Sequence, residues 1–131
     1  MNTSKKGSIS EGMVMAALIR AGHSVSLPFD GTLRYDMIFD DGITLNRVQC
    51  KSAVIRNGVV QFRTVSYQRD TKVPSEYLGQ VEFFGAYCAE NDTVYLVPIA
   101  DISSAICYLR LDSTKNNQSK GVRWAADYKV V

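Results

Sequence analysis

Residues 35–53 read YDMIFDDGITLNRVQCKSA, two apolar, strand-like runs on either side of an Asp-Gly turn. Such a turn sends the chain back along itself, so the stretch predicts an antiparallel hairpin closing at residues 40–42. Three residues fit it poorly. Asp36 stands in the first run, where alternation would put it on a face with Ile38. Gln49 and Lys51 are two apart in the second run and share a face, while Val48 and Cys50 point the other way, into a core. A carboxylate among apolar neighbours is costly unless it is paired or holds a cation. Closing the hairpin brings Asp36 beside the Gln49–Lys51 pair.

Two explanations fit that cluster equally well from spacing alone. One is a salt bridge between Asp36 and Lys51, with Gln49 a bystander. The other is a metal site. An aspartate oxygen and an amide carbonyl oxygen are hard ligands suited to Mg²⁺, and a backbone carbonyl between them can add a third. A lysine alongside can orient a water, help it lose a proton, or stabilise charge developing on phosphorus. Together they suit metal-assisted phosphodiester hydrolysis.

Upstream, SISEGMVMAALIRAG (8–22) predicts a helix capped by Ser8 and ended by Gly22 in a left-handed turn, with Met13, Ala16, Ala17 and Leu18 as its apolar stripe. Ser8 and Glu11 form a Ser-x-x-Glu capping box, which by itself explains a glutamate there. Glu11 also shares a helix face with Met15 and Leu18, which should turn inward, so a role over the sheet is equally consistent. HSVSLPF (23–29) predicts a short strand, with His23 a surface turn residue. GVVQFRTVS (58–66) predicts a half-exposed strand after an Asn57-Gly58 turn.

YQRDTKVPSEYLGQ (67–80) is a polar loop, with one helical turn expected near Ser75. VEFFGAYCAENDTVYLVPIADI (81–102) reads as two strands around Asn91-Asp92, although Val81–Glu90 could also be helical. AICYLRL (105–111) is a further strand. VRWAADYKV (122–130) predicts a closing helix anchored by Trp124 and Tyr128, four residues apart. The whole is one α+β domain over residues 1–131, a helix followed by a central mixed sheet with flanking helices.

Hydrophobic residues make up 46% and charged residues 21% of the chain, a globular composition rather than a disordered one. Net charge is only +2, but it is segregated. Residues 42–72 hold six Lys or Arg against one acid, residues 73–109 hold five acids and no Lys or Arg, and residues 110–131 return to +3. If the basic blocks meet in the fold, a positive face forms on a near-neutral protein. Cys50, Cys88 and Cys107 are odd in number and show no paired spacing, as expected of reduced thiols in a cytoplasmic protein. With His23 the single histidine, a Cys/His zinc site is disfavoured. The polar start MNTSKKGS is no signal peptide and no apolar run has membrane-spanning length, so no membrane association is expected.

An aspartate followed by an (Asp/Glu)-x-Lys element on a hairpin, after a helix bearing Glu, resembles the PD-(D/E)-x-K nuclease superfamily. Here Arg34-Tyr35 replaces the motif's proline and Gln49 replaces its second acid. More narrowly, RYDMIFDDG, RVQCKSA, YLGQVEFFGAYC, VYLVPI and RWAADY are similar to the group I intron-encoded homing endonucleases of this superfamily, from Gly7 to Tyr128. The RVQ-x-K form is the distinctive part. The resemblance implies a restriction-endonuclease-like α+β fold and Mg²⁺-dependent hydrolysis of double-stranded DNA, with Mn²⁺ as a possible substitute. It makes Asp36 the metal-bridging carboxylate, Gln49 the neutral ligand, Lys51 the catalytic amine, and Glu11 the helix acid approaching the metal.

Arg47, Arg56, Arg63, Arg69 and Lys72 are the residues expected on DNA, with Lys115, Lys120 and Arg123 as further backbone contacts and Tyr67 and Gln68 near bases. One active site per chain implies a homo-oligomer, dimer or tetramer, for cutting both strands. A junction-resolving nuclease and a non-cleaving DNA-binding module are the alternatives on the same fold.

Overall fold

The computed structural model describes residues 1–67, 74–75, 79–112 and 121–130. One strand organises it. β3 (Leu45–Arg56) is 12 residues long and pairs antiparallel with β2 (Met37–Asp40), parallel with β7 (Phe83–Cys88) and antiparallel with β4 (Val59–Arg63). β1 (Ser24–Ser26) extends the sheet beyond β2, β9 (Ile106–Arg110) beyond β4, and β8 (Thr93–Pro98) beyond β7. The short β5 (Ser66–Tyr67) and β6 (Pro74–Ser75) pair separately, so the helical turn expected near Ser75 is an extended pair instead. Arg69, Lys72, Gln68, Lys115 and Lys120 lie outside the described residues.

The predicted turns carry the backbone these hairpins need. Asn57 and Gly58, both at positive φ, close the β3–β4 hairpin, as the right-handed twist of paired strands requires. Asp41 accepts hydrogen bonds from the Ile43 and Thr44 amides and pins the β2–β3 turn, which holds its carboxyl down at about 2. Asp40 accepts from the Gly42 amide. Both aspartates thus serve the turn.

Helix α1 (Thr3–Arg20) starts five residues earlier than Ser8. Asn2 caps it, its side-chain oxygen accepting from the Lys5 amide at 2.8 Å, and Ser8 bonds back to the Ser4 carbonyl within the helix. The Ser8–Glu11 capping box is therefore a coincidence of spacing, because the polar residues 2–7 already supply a start. The far end is as expected: Gly22 has φ +98° and its amide bonds to the Ile19 carbonyl. The buried stripe is Ser10, Val14 and Leu18 rather than one centred on Met13 and Ala16. It packs on one sheet face against Met37, Phe39 and Val48. The opposite face builds a second core around Phe62, Phe84, Val97 and Leu109.

The segment 122–130 is not the closing helix its Trp124–Tyr128 spacing suggests. It bridges Arg110 through Trp124, makes one 3-10 turn (Ala125–Asp127), and bridges Tyr95 through Lys129. A nine-residue helix is marginal alone, and the edges of β8 and β9 offer backbone partners that a helix would waste.

Two contacts fix the layers. A Cβ on Gly85 would meet a Val14 methyl at 2.7 Å and a Val48 methyl at 3.1 Å, so only glycine lets α1 approach β7 this closely. At the start of the β3–β7 pair, the Glu82 carboxylate accepts from the Arg47 amide (2.8 Å) and Nε (2.9 Å) and meets Nη2, while the Glu82 amide donates to the Arg47 carbonyl. That clamp sets which residues of two distant strands lie side by side.

Gly85→Ala is expected to lower stability by about 1–3 kcal/mol through overpacking, read as a fall in the denaturation midpoint with the far-ultraviolet dichroism retained. The Glu82 carboxyl is held below its usual value by the Arg47 hydrogen bonds. Its stabilising contribution is then present above the unfolded value of 4.5 and lost as pH falls through the lower folded value. Glu82→Gln should therefore cost up to about 1 kcal/mol at neutral pH, given the partial exposure of the pair, and the gap from wild type should close below the ordinary carboxylate range. A gap independent of pH would show that the clamp works without charge.

Candidate active site

β3 pairs with β2 only as far as Val48 and with β4 only from Val54, leaving residues 49–53 bordered by β7. Gln49, Cys50 and Lys51 fall in that interval. Asp36 immediately precedes β2, so its position is set by hydrogen bonding rather than by strand alternation with Ile38. Its amide donates to the Val48 carbonyl at 2.8 Å, and its Oδ2 accepts from the Cys50 amide at 2.7 Å. The carboxylate thus takes the backbone donor that a longer β2 would have covered.

Glu11 reaches the same place from α1, in the turn of helix between the buried Ser10 and Val14. Ser10 and Ser52 hydroxyls meet at 2.6 Å, tying the residue before Glu11 to the residue after Lys51. Glu11 and Asp36 share a hydrogen bond between their carboxyls. Burial pushes the Glu11 carboxyl up, and the neighbouring Asp36 charge and that hydrogen bond push it further. Burial also raises Asp36, against the opposing pull of the Cys50 amide, the Lys51 ammonium and the Glu11 hydrogen bond. Two acids that both resist ionisation form a place where positive charge is wanted.

Lys51 supplies part of it. Its ammonium lies close enough to Asp36 to favour the carboxylate, and 6.0 Å from the Phe84 ring centre, at the outer limit of a cation–π contact. Gln49 is half-buried two residues away on the same strand, beside Phe84 in the parallel pairing. The Cys50 thiol, pushed well up by burial and by the Asp36 and Glu11 charges, stays protonated and is unsuited to ligation.

Among the described residues no group of three His, Cys, Asp or Glu side chains could hold an ion. Two carboxylates meet here, and the same strand interval carries Gln49, whose amide oxygen would be a neutral donor beside the strand carbonyls. That set suits a hard cation that keeps several waters and takes only one or two carboxylates, and it suits zinc poorly.

The expected DNA contacts divide. Arg47 is not available as a strand charge for phosphate, since its guanidinium is committed to Glu82. Arg56 and Arg63 are exposed at the β3–β4 hairpin, and Arg123 is half-buried. His23 packs its ring on Phe39, 5.0 Å between centres. Sequence reasoning missed Ser10, Ser52, Gly85 and Glu82. Only Ser52, the residue after Lys51, carries a local hint. The partners of the others lie at least 35 residues away.

The family model for the PD-(D/E)XK endonucleases matches residues 1–131. Among curated proteins none matches at a significant level. Among solved structures, a bacterial homing endonuclease, I-Ssp6803I, superposes with a TM-score of 0.77 over 98% of this chain and 89% of its own, at 22% identity. At that identity the likeness speaks for the fold, which is restriction-endonuclease-like, α+β, with an N-terminal helix and a large sheet. With a family match spanning its whole length, the chain belongs to the PD-(D/E)XK endonuclease family, whose members generally use divalent metal ions.

Proposed function

We propose that this endonuclease hydrolyses phosphodiester bonds of duplex DNA at defined sites, in the manner of a homing enzyme, with Mg²⁺ as its ion and Mn²⁺ as a substitute. The observation that carries the reading is the meeting of Glu11 and Asp36, two carboxyls raised above their usual range, at the strand interval that holds Gln49 and Lys51.

Asp36 and Glu11 are the anionic donors and Gln49 the neutral one. A divalent ion held by them would polarise the phosphate and acidify a water. Asp36 is oriented by the Cys50 amide, so its other oxygen is fixed in direction. Lys51 keeps a positive charge beside Asp36 and faces the negative charge that builds on the phosphoryl oxygens during attack. The Phe84 ring beneath it restricts where that ammonium can go. Arg56 and Arg63 bind backbone phosphates beside the site, and the opposite sign of residues 73–109 keeps that part of the chain off the duplex.

Asp36→Asn and Lys51→Ala should each reduce cleavage by at least about 10²-fold, with duplex affinity within a few-fold of wild type. Mg²⁺ or Mn²⁺ should raise the melting temperature of wild type and of Lys51→Ala, and leave Asp36→Asn unmoved. Normal cleavage by Lys51→Ala would reduce the lysine to a salt-bridge partner. For binding, log affinity should fall against log salt with a slope near −0.9 per phosphate neutralised. Arg56→Ala and Arg63→Ala should each flatten that line by about one such unit; an unchanged slope would remove those arginines from the interface.

A further inference from the structure

The outer edge of β9 borders a cavity that the cleavage chemistry does not use. It holds about 230 Å³, with residues 101–104 on one side, residues 121–123 on the other, and β9 between Ile106 and Arg110 as its floor. Two of its lining residues are arginines, Arg110 and Arg123. The Arg110 amide donates to the Arg123 carbonyl at 2.8 Å, and a parallel bridge joins Arg110 to Trp124, so the backbone holds the two cations together. Like charges set side by side repel, and neither guanidinium forms an ion pair among the described residues. Arg110 Nε is also buried with no hydrogen-bond partner among them. A buried donor left unpaired is costly, and its surroundings suit an acceptor brought from outside the chain.

The strand adds a further donor. The Leu111 amide bonds inward to the Gly58 carbonyl while the Arg110 amide bonds outward to Arg123, and amides alternate in this way along an antiparallel strand. The Tyr108 amide, two residues before Arg110, therefore points to the same outer edge, which the cavity borders. Burial pushes the Cys107 thiol up to about 11, with the Arg123 charge pulling against it, which places that guanidinium near the inner wall. Asp101 lines the cavity too and opposes an anion. It accepts the Tyr128 hydroxyl at 2.8 Å, however, and the arginines outnumber it two to one.

Two guanidinium groups and an edge amide suit an oxyanion with several acceptor oxygens and more than one charge. A phosphate offers three such oxygens and takes arginine bidentately, whereas a carboxylate has two oxygens and a single charge. A backbone phosphodiester fits less well, since a sugar on each side keeps it at the surface and Arg110 Nε is buried. A terminal phosphate has one substituent and can enter. The place is separate from the paired acids. Arg110 lies opposite Val59, which lies opposite Arg56, so two strand spacings and five residues of β3 separate it from Lys51, roughly 20 Å. Charge favours this margin over the other one: at β1 the sheet exposes Leu27, Phe29 and Ile43, and residues 21–46 carry four acids and one arginine.

We propose that the cavity beside β9 binds a terminal phosphate, held by the guanidinium groups of Arg110 and Arg123 and by the Tyr108 amide. Such a group comes from a free phosphate compound or from a phosphorylated DNA end, and the seat does not depend on the cleavage proposed above. Trp124, the single tryptophan of the chain, bridges Arg110 and reports on the site. Titration with inorganic phosphate at constant ionic strength should give a saturable change in tryptophan emission and a higher melting temperature. Arg123→Gln should weaken that binding by at least about tenfold. Without phosphate, Arg110→Met should melt at or above wild type, because it removes an unpaired buried donor; with phosphate it should melt below. Short duplexes with and without terminal phosphates then separate the sources. Tighter binding of the phosphorylated end, lost in Arg123→Gln, assigns the seat to DNA ends, and a phosphate response without that preference assigns it to a free phosphate compound.

A response that follows ionic strength alone, or one that is unchanged in both variants, would overturn the inference. So would variants that flatten the salt dependence of duplex binding while wild type ignores phosphate, since the two arginines would then serve the duplex backbone. A wild type that binds phosphate here yet cleaves no DNA would sink the proposed function and leave the seat standing.

Discussion

The close seating of α1 on the sheet governs the rest of this structure. Glycine at position 85 lets Val14 approach β7 at a separation that no side chain would permit. Leu18 and Val14 then bury completely against Val48 and Met37, and the Ser10–Ser52 hydrogen bond fixes the helix along its length. Glu11 inherits its place from those contacts. Its carboxyl meets Asp36 because Ser10 before it and Val14 one turn on are both pinned against the sheet. The position is imposed by apolar packing, which is indifferent to charge, and so it can hold two acids together against their repulsion.

That repulsion is an unfavourable term in the metal-free protein. Asp36 gains a hydrogen bond from the Cys50 amide and the nearby Lys51 charge, and its carboxyl still lies above its ordinary range. Both raised acids bind protons more tightly folded than unfolded, so they favour the fold at low pH and detract from it as pH rises through their folded values. A cation between them reverses the sign. The site is therefore unstable in the sense that matters for function: the two cores of the sheet, the Arg47–Glu82 clamp and the β2–β3 turn hold it while it waits for a counter-charge.

Local patterns gave away most of this architecture. Asp-Gly at 41–42, Asn-Gly at 57–58 and Asn-Asp at 91–92 each mark a hairpin that forms, because positive φ at a turn is a property of one or two residues. The convergence of Asp36 and Lys51 was legible for the same reason, since one tight hairpin relates them. What failed were patterns with two physical meanings. Ser8-x-x-Glu11 has the spacing of a cap but lies inside a helix already begun at Asn2. Trp124 and Tyr128 have helical spacing, yet Tyr128 donates its hydroxyl to Asp101 and accepts at its carbonyl from the Leu96 amide, two partners far upstream, on the 3-10 turn Ile99–Asp101 and on β8. The Arg47–Glu82 clamp was invisible because parallel strands meet through a long connection, which leaves no short-range mark in either residue's surroundings.

The Arg47 clamp also sharpens the meaning of the charge pattern. Counting residues 42–72 as a basic block overstates what can meet phosphate, since Arg47 is neutralised by Glu82 and Lys51 sits by Asp36. Among the described residues, the basic side chains left exposed in that block are Arg56 and Arg63 on the β3–β4 hairpin, away from the apolar edge at β1. The sheet is thereby divided along its width. One margin is anionic and apolar and has no electrostatic reason to approach DNA; the other carries exposed arginines; and the paired acids lie on β3's side of the boundary. A single twisted sheet so partitioned keeps its exposed arginines and its exposed apolar side chains on separate margins, so that neither surface competes with the other for the same residues.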